Sequence, residues 1–146
     1  MKALVHILLP IIAAIIINVI IYTNEWNNQR PQDQVISRYL PPGYVIAVVW
    51  IIILGLLGYT HYLVYPGKES VIIILAIFYC LSYPFLTSGL QQDQAPVYNV
   101  LSFVIAVFVL FSVYLKQKKA TLYIMPLLLW TLYVSIVTVL VNQIKK

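Results

Sequence analysis

The sequence predicts an all-α integral membrane protein, a bundle of five transmembrane helices, and three observations predict it. Hydrophobic residues make up 62% of the 146-residue chain and charged residues only 9%. A soluble domain of that size would still have to cover itself with polar surface, so the solvent must be lipid. Five apolar runs, 3–23, 40–65, 70–92, 94–115 and 120–144, contain no Lys, Arg, Asp or Glu. Each reaches the roughly 20 residues that a helix rising about 1.5 Å per residue needs to cross a bilayer core. The runs are continuous, whereas a membrane barrel shows alternating segments of about ten residues, and helices are then the only spanning structure left.

The chain reads as a single domain over 1–146, with helices at about 4–22, 44–65, 70–88, 96–115 and 121–142. The first apolar stretch follows Met1-Lys2, is too long for the core of a signal peptide and lacks an Ala-x-Ala cleavage pattern, so it is expected to stay as the first span. Residues 24–38 form the long polar connection, with Glu25, Trp26, Arg30, Asp33 and Arg38. Pro41-Pro42-Gly43 opens the second helix, because prolines lack donors that a helix start leaves unpaired anyway, and Pro66-Gly67 closes it. Pro84 lies near the end of the third helix and Pro96 opens the fourth. The fifth is expected to begin near residue 121 and to carry Pro126 about a turn and a half inside. The other connections are short, which makes consecutive helices antiparallel neighbours.

The net charge of +5 forms no basic face, so no nucleic-acid partner is expected and the cations read as topology and headgroup signals. Lys2, Lys68, Lys116, Lys118 and Lys119 fall on the side of the N-terminus, and Arg30, Arg38, Lys145 and Lys146 on the other. Such balance leaves the positive-inside rule nearly silent, with the lysine cluster leaning toward a cytoplasmic N-terminus. Tyr22, Trp26, Tyr44, Tyr65, Tyr98, Tyr114 and Tyr123 cluster at helix ends as an interfacial belt.

Every carboxylate lies in a connection, which argues against acid-base catalysis, ion relays and voltage sensing at membrane depth, and no catalytic residue is assigned. Cys80 is the single cysteine and reads as a packing residue. His6 and His61 are expected toward the same membrane face as interfacial, hydrogen-bonded side chains. The rival reading, a bis-imidazole haem or metal pair, lacks a supporting carboxylate, and no metal site is assigned. Asn18 is expected to bond across to a neighbouring helix. Ser102 and Ala106 form a small-xxx-small pair that could serve as a contact face.

Aromatic stripes are the strongest signal. Trp50, Leu54, Gly58, His61 and Tyr65 recur at steps of three and four on one inner face of the second helix, where Gly58 allows close approach of a neighbour; Trp130, Tyr133 and Val137 do the same on the fifth, and Tyr79 and Tyr83 sit one turn apart on the third. Wide rings with polar tips suit ordinary packing or a cavity for a flat apolar ligand.

Pro41-Pro42-Gly43-Tyr44-Val45-Ile46, then Trp50, Leu57-Gly58 and Leu63-Val64-Tyr65, resembles the second-helix signature of the TspO/translocator-protein family, also called tryptophan-rich sensory protein or peripheral-type benzodiazepine receptor. Met125-Pro126-Leu127-Leu128-Leu129-Trp130 resembles its fifth-helix pattern of Pro-Tyr and a following Trp. The chain departs from the family at Tyr39 and Tyr44, where Trp is usual, at Leu127 for Tyr, Val134 for Ala and Thr138 for Asn, and its third helix lacks the usual Asn and Trp. It is similar to the family as a divergent member.

The resemblance implies a membrane receptor or sensor that binds a hydrophobic small molecule, a porphyrin (tetrapyrrole) or a sterol, in a pocket beneath the first loop, often as a homodimer. By position Trp50 and Trp130 match the tryptophans flanking that pocket, and Pro41, Pro42 and Tyr44 its rim. Tyr133, Tyr83 and Leu54 complete the candidate ligand-binding set. No cofactor is obligatory, and porphyrin or haem is a candidate ligand. Arg30 or Arg38 could meet a ligand carboxylate at the mouth. The alternatives are a porphyrin-degrading membrane enzyme, a structural or assembly subunit, and a small haem-binding electron carrier using His6 and His61.

Overall fold

The computed structural model describes residues 2–24, 39–85 and 95–144, and among these every regular element is helical. In chain order they are α1 (Lys2–Thr23), α2 (Gly43–Val64), α3 (Lys68–Pro84), α4 (Ala95–Lys116), a 3-10 helix η1 (Lys118–Tyr123) and α5 (Met125–Ile144). Three stretches, Ala3–Thr23, Gly43–Val64 and Pro96–Lys116, are long and apolar enough to cross a membrane. α3 is shorter, at 17 residues, and the apolar stretch Met125–Leu140 of α5 is likewise short of a full span.

Each helix packs on its neighbour in sequence, α1 chiefly against α2 and α5 chiefly against α4. Ile53, Leu54, Leu57, Ile73, Val109 and Val113 fill the centre. Large apolar side chains such as Leu9, Ile12, Phe78, Phe108, Leu115 and Leu129 point outward. Only 17% of the apolar window of α1 is buried. A surface of that kind is stable facing acyl chains and not water.

The fifth helix begins later than its hydropathy suggests. Residues 118–123 wind as η1, and α5 starts at Met125, so Pro126 opens the helix instead of lying inside it. Proline there loses no hydrogen bond, because first-turn N–H groups have no intrahelical partner. Ala120 and Ile124 are fully buried and plug the lysine-bearing end of the bundle. Tyr123 meets Tyr59 of α2 edge-on at 4.9 Å. Helix α3 is described as far as Pro84, and the expected end at 88 lies outside the described residues.

Pro10 lies buried inside α1. Having no N–H, it deprives the His6 carbonyl of its donor four residues on. Gly58 of α2 approaches that same carbonyl so closely that an added Cβ would overlap its oxygen. Backbone contact of this kind is what small residues permit in membrane helices.

Three expectations are corrected. Asn18 donates to the Ala14 carbonyl of its own helix at 2.9 Å, not to a neighbour. Ser102 and Ala106 are buried within the bundle and present no outward contact face. Tyr65 closes the α2 stripe at 62% exposure, so the stripe does not face inward along its whole length. Cys80 is buried among apolar neighbours, as a packing residue would be.

Candidate functional site

A cleft of about 180 Å³, its mouth included, opens where α2, α3, α4 and α5 converge. Trp50 comes from α2, seven residues past Gly43 and so about 10 Å along the helix. Tyr83 comes from the last turn of α3, Asn99 and Ser102 from the first turns of α4, and Trp130, Thr131 and Val134 from α5. The Trp50 and Tyr83 rings lie 5.4 Å apart at a tilt of 39°. These rings and Trp130 make aromatic walls, while Asn99, Ser102 and Thr131 make a neutral polar floor.

That floor is a hydrogen-bonded tie between three helices. Asn99 is buried; its carbonyl oxygen accepts from the Tyr83 hydroxyl, and its amide donates to Thr138 Oγ1 at 3.2 Å. Ser135 donates to the Asn99 backbone carbonyl at 2.8 Å. Tyr79, one turn before Tyr83, reaches the Tyr98 carbonyl and the Ser102 hydroxyl, both at 3.2 Å. The aromatic spacing on α3 thus zips that helix to α4. Because a lost polar contact in lipid has no water to replace it, such ties fix helix register.

The cleft brings Trp50, Tyr83 and Trp130 of the candidate set together. The other candidates stand around it. Tyr133 packs on Trp130 with centroids 5.8 Å apart and donates to the Tyr39 carbonyl, which ties the segment before Pro41 to α5. Pro41 is half-buried, Pro42 caps α2, and Tyr44 is 66% exposed at the start of that helix. Leu54 is buried in the core one turn below Trp50. Arg30 and Arg38 lie outside the described residues.

Asn99 was missed by sequence reasoning, and so were Thr131 and Ser135. Asn99 did leave a signal, as the one amide in α4, three residues after its opening proline. Among the described residues, no Asp, Glu, His, Lys, Arg or Cys lines the cleft. Its walls can stack on a flat ring and its floor can meet a neutral hydrogen-bonding edge, but they offer no acid, base or nucleophile of ordinary strength.

Two tryptophans from the second and fifth helices flanking one cleft is the arrangement that the signatures at 41–65 and 125–130 imply. The TspO/MBR family model matches residues 4–143, nearly the whole chain. The chain belongs to the TspO/MBR family. Membership places it in the membrane and fits a sensor- or receptor-type role. No curated protein and no solved structure matches it. Within this TspO/MBR protein the departures Val134 and Thr138 fall at the cleft and its floor, where Val134 lines the opening and Thr138 holds Asn99.

The two histidines meet elsewhere. His6 and His61 face each other through their Nδ1 atoms at 2.6 Å. At that distance the two rings pair directly with each other and leave no gap between them.

Proposed function

We propose that this TspO/MBR protein is a five-span membrane receptor or sensor that takes a flat hydrophobic ligand, a porphyrin or a sterol, between Trp50, Tyr83 and Trp130. The convergence of those three rings on one cleft is the observation that carries the reading. Stacking on indole and phenol faces supplies affinity without charge, and the Asn99 and Ser102 floor orients a polar edge. The cleft has room for little more than one water molecule between its walls, far below the roughly 300–1,000 Å³ of typical ligand pockets, so a tetrapyrrole enters only when the rings part.

For the span count, α3 has 17 residues and α5 has 20, and α3 packs between α2 and α4 while α5 packs on α4, which suits two further spans in one bundle. Replacing Trp130 with Ala tests the site. Ligand-induced quenching of the remaining tryptophans should be lost while helicity is kept; unchanged affinity would remove Trp130 from the pocket.

A further inference from the structure

The end of the bundle away from the aromatic cleft gathers positive charge. Lys68 opens α3, Lys116 closes α4, and Lys118 and Lys119 open η1. All four side chains are exposed. A Cβ placed on Gly67 would stand 3.6 Å from Lys116 Cε and 2.5 Å from Glu69 Oε2, so the end of α4 adjoins the turn between α2 and α3. Among the described residues, these four lysines face one carboxylate, Glu69, which leaves a local charge of +3. Like charges gathered at one end repel, and an anion seated among them relieves that repulsion.

Two of the lysines stand on a fixed base. Ala120 and Ile124 anchor η1 in the core, and Tyr123 meets Tyr59 edge-on at 4.9 Å. The Thr121 hydroxyl donates to the Lys118 carbonyl at 2.5 Å, and the Ala120 N–H to the Gln117 carbonyl at 2.9 Å. The Lys118 ammonium stands over the Tyr114 ring, 5.4 Å from its centroid, an attraction that holds the charge beside the end of α4. An apolar border runs next to the cations. Leu115 and Leu122, on either side of the lysine turn, are 70% and 71% exposed, and Tyr114 is exposed as well. Those side chains suit acyl chains, whereas lysine ammonium groups belong at the membrane–water interface. The surface therefore changes from lipid-facing to cationic over residues 114–119, the step that a phospholipid makes between its chains and its phosphate.

We infer that Lys68, Lys116, Lys118 and Lys119 hold the phosphate of an anionic phospholipid whose acyl chains run over Tyr114, Leu115 and Leu122. Charge complementarity selects this occupant. Lysine ammonium groups are point charges without the fork that reads one anion's shape, so the site recognises net negative charge and not a particular headgroup. A zwitterionic lipid brings an ammonium of its own, which the lysines repel. A water-soluble phosphate has no chains to cover the leucines. Because α5 starts at Met125, directly behind η1, a headgroup held here fixes the depth at which that helix enters the membrane.

A bimane fluorophore on Leu122→Cys, in a Cys80→Ala background, reports which acyl chains touch η1, since bromine atoms on a chain quench it at contact. Two sets of vesicles are compared, brominated phosphatidylglycerol as the minor lipid in phosphatidylcholine, and brominated phosphatidylcholine at the same fraction in phosphatidylglycerol. The first should quench more, by an amount that corresponds to at least about fivefold local enrichment of the anionic lipid, the contribution of one interfacial lysine. Lys116→Gln, Lys118→Gln and Lys119→Gln together should abolish the excess, and raised salt should reduce it. Arginine at the same three positions should retain it. Equal quenching in the two sets, or an excess that survives the glutamine substitutions, would overturn the site. An excess removed by soluble glycerol phosphate would make it a site for free phosphate and overturn the lipid assignment.

Discussion

At the scale of single residues, two glycines one turn apart make opposite predictions. A Cβ at Gly55 would meet the flexible tip of Ile11 at 3.0 Å, which can turn aside, whereas one at Gly58 would overlap the backbone carbonyl of His6. Gly55→Ala should therefore be near neutral, gaining about 0.5–1 kcal/mol in helix propensity against a small repacking cost. Gly58→Ala should lose about 1–3 kcal/mol, because backbone must move. Unfolding of both variants in detergent checks the contrast, and equal stability of the two would contradict the close α1–α2 seat. Asn99→Leu should cost about 1 kcal/mol by removing the bonds to Tyr83 and Thr138, in the range measured for polar ties between membrane helices. Gly58 was readable from the sequence as a point of close helix approach, though its partner was not, while the Gly55 contact and the Asn99 tie were not readable. A lone amide in an apolar run shows that a partner exists, but Tyr83 and Thr138 are named only when three helices come together.

At the scale of elements, α1, α2 and α4 were legible because run length and charge exclusion are direct consequences of the bilayer. The start of α5 was not. Hydropathy is blind to whether residues 118–123 wind as 3-10 or α, and the deciding feature is Pro126, which fits the first turn and not the interior. Because η1 and Ile124 plug the bundle end, Ile124→Ala should destabilise by about 2–5 kcal/mol through the cavity it leaves, whereas Leu122→Ala, on the exposed side of η1, should change little. Comparable losses at both sites would mean that η1 is not a plug. The α2 stripe was right in its period but not in its reach, since Trp50 and Leu54 turn inward and Tyr65 meets the membrane surface.

For the whole molecule, the five-span reading sets the side of each connection. Cysteines at Lys68 and Lys118 should react with a membrane-impermeant reagent from one side of sealed vesicles, and cysteines at Asn24 and Val97 from the other, in a Cys80→Ala background. Labelling of Val97→Cys from the same side as Lys68→Cys would show that α3 does not span. The charge balance that silences the positive-inside rule leaves the absolute orientation to the same experiment. Fold class was legible across the chain, because solvent dictates it; the cleft was legible only as three aromatic positions, because its polar floor depends on packing between distant segments.

The central claim is that Trp50 and Trp130 wall a ligand site, and fluorescence titration of the purified protein with protoporphyrin tests it most directly, with the Trp50→Phe and Trp130→Phe variants alongside. The account predicts saturable quenching near micromolar ligand, about −8 kcal/mol of binding free energy, weakened in each variant. Non-saturable quenching identical in all three proteins would contradict it.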